Sequence, residues 1–266
     1  MRFSIVVVCL NPGDKLNQTL DSILSQTCTD YEIVVKDGGS RDDSVETIRT
    51  DSRIRLYREK DGGIYEAMNQ AVSHAEGDFV LFLNCGDFFP DEKVLERTYA
   101  YINEEAARGT DLSRLVLYGD TLGEKNGVVI ASPPHIDGFV CYRTIPCHQT
   151  CFYSRQLCLD KPYEPAFRIR ADYDHFLWCF YKAGAKFVHM DFAAASYEGG
   201  GYSESKENRK RDRQEHRQIT SAYMSKGELF KYRAVMACTL APLRSAMAES
   251  RVFSGIYHGV KRLIYR

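Results

Sequence analysis

The residues best suited to chemistry in this chain are carboxylates and amides standing directly after runs of apolar residues. Asn11 follows Phe3–Cys9, Asp37-Gly38-Gly39-Ser40 follows Glu32–Lys36, and Asn84-Cys85-Gly86-Asp87 follows Phe79–Leu83. Open parallel sheets bind ligands beyond the carboxyl ends of their strands, so these three loops are expected to meet at one edge. The Asp37 carboxylate can accept a ring N–H from a nucleobase, and Gly38 and Gly39 let the backbone approach a flat ligand. The same residues also suit an Asp-Gly turn closed by Asp37 itself. Asp87, ahead of Phe88-Phe89, suits the single protein carboxylate on a Mg²⁺ or Mn²⁺ ion whose other ligands are phosphate oxygens and water. It equally suits an N-cap for the segment after Pro90.

The elements that must position these loops follow from the apolar pattern. Phe3–Cys9, Glu32–Lys36, Ile54–Tyr57 and Phe79–Leu83 read as strands separated by segments of helical length, which predicts a parallel sheet with crossover helices. After Gly63, the spacing of Ile64, Met68, Ala71, Val72 and Ala75 predicts a helix. Its first N–H groups favour phosphate, with Asn69 placed to contact it and Tyr65 suited to packing. Leu115–Tyr118 and Gly127–Ala131 are further strands around a turn. Asp172–Ala183 reads as a helix stopped by Gly184, followed by a strand at Lys186–Met190. Charge becomes dense from Ser203 to Arg217. The compact domain is therefore expected over residues 1–204, with a charged linker and a basic amphipathic helical tail over 205–266.

Composition narrows the partners. Thirty-five Lys and Arg against 36 Asp and Glu leave a net charge of -1, so no global field draws the chain to nucleic acid, and any anion is held locally. The nine cysteines form no Cys-x-x-Cys pair and read as small core residues in a reducing compartment. Cys141, Cys147, Cys151 and Cys158 gather near His148 but match no zinc-ligand spacing. Phe3–Leu10 runs straight into Asn11-Pro12-Gly13-Asp14 without a cleavage site, and no apolar run approaches the roughly 20 residues of a membrane helix. A cytoplasmic catalytic part is expected. From Lys226 to Arg266 eight basic residues face two acidic ones, interleaved with aromatic and aliphatic side chains. That mixture suits contact with anionic lipid on the inner membrane face, or helices packed with their basic faces in water.

Taken together and in order, Asn11, Tyr31–Ser40, Asp61-Gly62-Gly63-Ile64-Tyr65-Glu66-Ala67-Met68-Asn69 and Phe82–Asp87 resemble family 2 glycosyltransferases of GT-A fold. Pro146-Cys147-His148-Gln149, Ala171-Asp172-Tyr173-Asp174 and Gly200-Gly201-Tyr202-Ser203 extend the resemblance to the branch holding colanic-acid-type exopolysaccharide transferases, over about residues 1–204. It implies an α/β architecture with a mostly parallel central sheet flanked by helices. It also implies inverting transfer from a UDP- or GDP-sugar to a hydroxyl of a lipid-linked oligosaccharide, with Mn²⁺ or Mg²⁺ as cofactor. Residue by residue, it makes Asp37 the base-binding carboxylate and Asp87 the metal ligand. Asn11, Gly38, Asp61, Asn69, Asn84 and Gly86 fall at donor positions, and Asp172 falls at the catalytic base. Apart from the resemblance, the polar Pro-Cys-His-Gln loop between two apolar patches suits His148 and Gln149 either to the acceptor or diphosphate or to a structural place, and Asp174 stands beside the acceptor as the competitor to Asp172 as base.

The sequence departs from the commoner pattern in having Asn84 and Gly86 where many members carry aspartates, which leaves metal binding chiefly to Asp87. The chemistry needs these types: the leaving diphosphate gains negative charge that a divalent ion stabilises, and the attacking hydroxyl must give up a proton to a base. Asp172 and Asp174, two apart at a helix start, are expected to point in different directions, one of them serving the helix terminus. A nucleotidyltransferase would call for a lysine-bearing Gly-rich loop, which is missing from the sequence. An inactive carbohydrate-binding relative would have no need to keep Asp37, Asp87 and Asp172 together.

Overall fold

Every residue of strand β1 (Phe3–Cys9) is buried, and so is every residue of β2 (Tyr31–Asp37). Runs without polar alternation are what a strand needs when both faces are covered. In the computed structural model, which describes residues 2–124, 127–197 and 208–238, these strands lie parallel with Phe3 opposite Tyr31 and Cys9 opposite Asp37. Strand β3 (Ile54–Arg58) extends the parallel set beyond β2, and β4 (Phe79–Phe82) joins it on the far side of β1. The four strands and their parallel pairing are those the apolar runs predict.

The sheet continues with β5 (Leu115–Gly123), β6 (Val128–Ile130), β7 (Cys151–Ser154) and β8 (Lys186–Tyr197), in the order β3-β2-β1-β4-β7-β5-β6, with β8 on β5. Here the pairing is mixed. β7 is antiparallel to β4 and to β5, while β8 runs parallel to β5 with register shifts near Asp120. β8 runs past the expected end at Met190, because an irregular register lets the small residues Ala193–Ala195 stay paired beside Gly119. Around the sheet lie α1 (Lys15–Leu24), α2 (Ile64–His74), α3 (Val94–Ala107), α4 (Gly138–Arg143), α5 (Arg155–Asp160) and α6 (Ala171–Tyr181). Leu16, Leu20 and Ile23 of α1 and Val94, Leu95 and Ile102 of α3 enter one core with the inward residues of β1, β2 and β4.

The charged segment expected as linker is in part a helix, α7 (Asn208–Tyr223). Its Glu215 is buried and accepts the backbone N–H groups of Arg168, Ile169 and Arg170, each at 3.0 Å. Asp212 pairs with Arg170 at 2.7 Å. Chain contacts divide the molecule into Met1–Ile219 and Thr220–Arg266, so that division falls within α7. The boundary near residue 204 and the Gly200–Ser203 motif lie outside the described residues, as does the tail from residue 239. In the second unit, α8 (Lys226–Cys238) is opened by a reciprocal cap: Ser225 N–H donates to Glu228 at 2.8 Å and Glu228 N–H donates to Ser225 Oγ at 3.2 Å. Among the described residues, no helix is long and apolar enough to cross a membrane.

Candidate active site

The three loops do meet at one edge. Gly38 N–H donates to Cys9 O, Asn11 N–H to Ser40 Oγ, and Arg41 N–H to Asn11 Oδ1, which ties the end of β1 to the loop after β2. The Asp37 carboxylate closes its own turn, accepting Ser40 Oγ–H at 2.6 Å and the N–H groups of Ser40 and Gly39 at 2.9 and 3.2 Å. It is 1% exposed. Of the two readings open in the sequence, the turn is present, with Oδ2 also accepting Ser40 N–H at 3.2 Å.

Asp61 proves to be tied to the scaffold. Its Oδ2 accepts the Lys36 ammonium at 2.9 Å, and Oδ1 accepts Gly63 N–H at 3.2 Å. Lys36 is wholly buried and spends its other donors on the carbonyls of Glu59 and Asp37. A Cβ on Gly38 would stand 2.8 Å from Asp61 Oδ2, so glycine is what lets this pair close beneath the Asp37 loop. Asn69 is likewise engaged: its amide donates to Tyr163 O and accepts Tyr163 N–H, both at 2.8 Å. It splices α2 to the Tyr163 segment as a neighbouring strand would, and both polar atoms expected to face the donor are used in doing so.

The loop after β4 is held from below. Thr19 Oγ1 accepts Gly86 N–H at 3.0 Å and donates to Asp87 O at 2.9 Å. Gly86 has φ 96, a left-handed turn that favours glycine. This explains why an aspartate is absent there. Asp87 is buried, and its Oδ2 accepts Gln149 Nε2–H at 2.9 Å. The Cys147 thiol donates to Gln149 Oε1, which aims the amide nitrogen at Asp87. Among the described residues no group of three or more His, Cys, Asp or Glu side chains could hold a metal ion by itself. The lone Asp87 carboxylate therefore fits an ion shared with substrate phosphates and does not fit an all-protein cage.

Asp172 and Asp174 diverge as their spacing predicts. Asp174 turns to Lys161, 2.7 Å away, in a mostly buried ion pair. Neither caps α6, whose N-cap position is Arg170. Asp172 keeps 19% of its side chain exposed. Its Oδ1 lies 2.9 Å from the Tyr65 hydroxyl, whose proton is shared with Ile169 O at 2.7 Å, and its Oδ2 lies 3.3 Å from His148 Nδ1. Burial pushes the Asp172 carboxyl up, but the His148 hydrogen bond and charge, the Tyr65 hydroxyl and the Tyr173 N–H outweigh it and hold it below the usual range. Burial, then the Asp172 charge, keep Tyr65 protonated well past its ordinary value. His148 Nε2 meets Asn84 Nδ2 at 3.1 Å. The turn His148–Thr150 thus touches the Asp172 helix with one side chain and the Asp87 loop with the next.

Three contributors escape sequence reasoning. Tyr65, read as packing, touches Asp172. Glu215 fixes the backbone just before α6. Arg168 Nη1 donates to Gly62 O at 2.7 Å, closing a cleft of about 340 Å³ lined by Gly62–Glu66, Pro165 and Arg168. The contacts span 106 residues for Arg168 and 107 for Tyr65, too far for any local pattern to record. Cys141, Cys151 and Cys158 are buried thiols, each pushed up chiefly by burial.

Comparisons with known proteins agree with this architecture. A family profile described as Glycosyl transferase family 2 matches residues 4–154. A PGL/p-HBAD biosynthesis glycosyltransferase of Mycobacterium bovis is 35% identical over 208 residues, covering 76% of this chain and 78% of the relative. Glycosyltransferase GlyG of Streptococcus pneumoniae is 33% identical over 109 residues, 39% of this chain and 36% of that protein. Among solved structures, S. aureus TarS 1-349 in complex with UDP superposes with TM-score 0.62 at 23% identity, covering 75% of this chain and 61% of TarS 1-349. The chain thus spans about three-fifths of that structure. The mannosyltransferase PcManGT from Pyrobaculum calidifontis, in complex with GDP-Man and Mn²⁺, superposes with TM-score 0.63 at 16% identity, covering 98% of this chain and 87% of that one. The GT-A fold is shared with these structures, and by sequence the chain belongs to glycosyl transferase family 2, as a glycosyltransferase.

Proposed function

We propose that this glycosyltransferase moves a sugar, with inversion, from a UDP- or GDP-sugar to a hydroxyl of a lipid-linked surface-polysaccharide precursor, with Asp172 as general base. The observation that carries the reading is the contrast between two neighbouring carboxylates: Asp174 is neutralised by Lys161, while Asp172 keeps part of its side chain exposed beside His148. UDP and GDP-Man in the related structures support a nucleotide-sugar donor.

The nucleotide lies along the edge formed by Asn11, Asp37 and Gly38, with the sugar pointing toward Asp172. Asp87 would hold Mg²⁺ or Mn²⁺ together with the diphosphate, and the ion, when bound, supplies Lewis-acid stabilisation of the leaving group. The acceptor oxygen forms its bond to the anomeric carbon as its proton passes to Asp172. The bond from that carbon to the diphosphate oxygen breaks, and the electron pair leaves with the nucleotide. Approach opposite the leaving group inverts the centre. Asp172, held below the usual carboxylate range, is ionised at neutral pH, and with Tyr65, His148 and the Tyr173 N–H occupying three of its four lone-pair sites one is left for the acceptor.

The test is release of nucleoside diphosphate from UDP-glucose, UDP-GlcNAc and GDP-mannose with Mn²⁺, together with transfer to a lipid-linked acceptor extract. Asp172→Asn is expected to lower transfer by roughly 10²–10⁴-fold with donor affinity little changed. An inactive Asp174→Asn beside an active Asp172→Asn would reverse the assignment. Equal nucleotide affinity with and without Mn²⁺ in calorimetry would remove the ion from the reading. Membrane contact through the basic tail rests on its charge and on Phe230, 76% exposed on α8; co-sedimentation with phosphatidylglycerol vesicles that persists after removal of residues 226–266 would exclude it.

A further inference from the structure

The turn His148–Thr150 stands between the two carboxylates of the site, and nothing in the general chemistry of transfer requires a histidine there. His148 is 18% exposed, with each ring nitrogen facing one partner. At Nε2 that partner is Asn84 Nδ2, a group that only donates, so Nε2 carries the lone pair and the single proton of neutral His148 sits on Nδ1. Asp172 Oδ2 lies 3.3 Å from Nδ1, within reach of that proton. Asn84 Oδ1 is buried without a hydrogen-bond partner, and reversing the amide would present it to Nε2–H of a cationic ring. In either charge state Nδ1 remains a donor to Asp172.

We propose that His148 is the positioning residue for Asp172: its Nδ1–H, held on that nitrogen by the facing carboxylate while Asn84 accommodates Nε2, locks the carboxylate in one rotamer, keeps it anionic, and turns its remaining lone pair toward the acceptor. This rests on Asp172 being the base. The other groups around Asp172 cannot replace His148. Tyr65 divides one proton between Asp172 and Ile169 O. Cys147, pushed up to about 12, and Cys151 are buried and neutral thiols, and Tyr163 is held protonated. His175, on the same helix, is lowered by burial to about 4 and stays neutral. Asp174 and Lys161 cancel one another. Without His148, burial acts on Asp172 opposed only by Tyr65 and a backbone N–H.

Two measurements on the full chain test this. The first needs no substrate: two-bond ¹H–¹⁵N spectra of ¹⁵N-histidine protein, with the His148 signal assigned by its loss in His148→Asn. The expected neutral form carries its proton on Nδ1 and reverts to the solvent-favoured Nε2–H form in Asp172→Ala. A His148 signal of Nε2–H type in the unmodified protein, or one unchanged by Asp172→Ala, overturns the proposal. The second is the pH profile of nucleoside diphosphate release from whichever of UDP-glucose, UDP-GlcNAc or GDP-mannose is turned over. His148→Ala is expected to move the acid limb up by about one pH unit or more and to lower the plateau by about 10–10²-fold. His148→Asn, whose amide nitrogen falls near the position of Nδ1, is expected to restore most of both. An unmoved limb in a folded His148→Ala overturns the role. If Asp172→Asn keeps full activity, the base assignment fails instead, and the spectra still report whether the pair exists.

Discussion

Removing the Asp61 carboxylate separates a donor contact from a structural one. Lys36 is fully buried and has three ammonium protons, which go to Asp61 Oδ2 at 2.9 Å, Glu59 O at 2.5 Å and Asp37 O at 3.2 Å. Asp61→Ala leaves that charge in the interior with two neutral carbonyls. Breaking one side of a buried pair costs about 3–5 kcal/mol, and the 12% exposure of Asp61 lets water relieve part of it, so the lower end applies, about 3 kcal/mol. For a domain of this size that is a fall in Tm of about 6–12 °C. Asp61→Asn keeps an oxygen acceptor and is expected to cost less, about 2 kcal/mol. Lys36→Met with Asp61→Ala removes both charges, and the double variant should recover most of the loss. Urea unfolding of the unmodified chain, Asp61→Ala, Lys36→Met and the double variant gives the coupling energy. An Asp61→Asn protein that melts with the unmodified chain but no longer binds nucleotide would refute the structural reading and make Asp61 a donor ligand.

Glu215→Ala strips three consecutive N–H groups of their acceptor just ahead of α6. A loss of about 3 kcal/mol in urea unfolding is expected, with transfer falling further than stability alone explains because Asp172 is displaced; unchanged unfolding would show that water replaces the carboxylate. Glu105 reports on acid stability. Burial pushes its carboxyl up, but Lys186, Thr110 and Arg108 bring it down to about 2 from an ordinary 4.5. Because the folded value is depressed, its contribution of about 3 kcal/mol is complete above pH 4.5 and is lost as the pH falls toward 2. Glu105→Gln should therefore lower stability at neutral pH and flatten the acid side of the profile; identical slopes between pH 5 and 2 for both proteins would exclude that role.

The meeting of the strand-end loops is legible in the sequence because its logic is local. Four apolar runs of strand length separated by helix-length segments read as strands, three of them wholly buried, and the polar residue after each lies at the same end of a parallel sheet. Asp172 and Asp174 can be told apart in principle by helical geometry, but the partner of each, His148 or Lys161, is set by a different segment. Asn69 looks like a donor contact because its place in α2 is right, while its use depends on where Tyr163 runs. Charge density over 203–217 hides Glu215, since one buried carboxylate among exposed neighbours leaves the average unchanged. The antiparallel insertion of β7 is invisible for a similar reason: Cys151–Ser154 is four residues long, below the length at which period discriminates strand from helix.

The bridges that join the two sides of the cleft have a kinetic consequence. Asn69 to Tyr163 closes 94 residues and Tyr65 to Asp172 closes 107, whereas Ser4 of β1 meets Glu32 of β2 across only 28. Loop-closure entropy makes the longer contacts costlier to form early, so the edge formed by β1 and β2 can assemble while Asp172 is still unplaced. Interactions that form after the rate-limiting step govern how fast the native state opens and hardly affect how fast it forms. The Asn69 splice and the Tyr65 hydroxyl then act as latches on the unfolding side: weakening either shortens the lifetime of the assembled centre while the chain refolds at its usual speed.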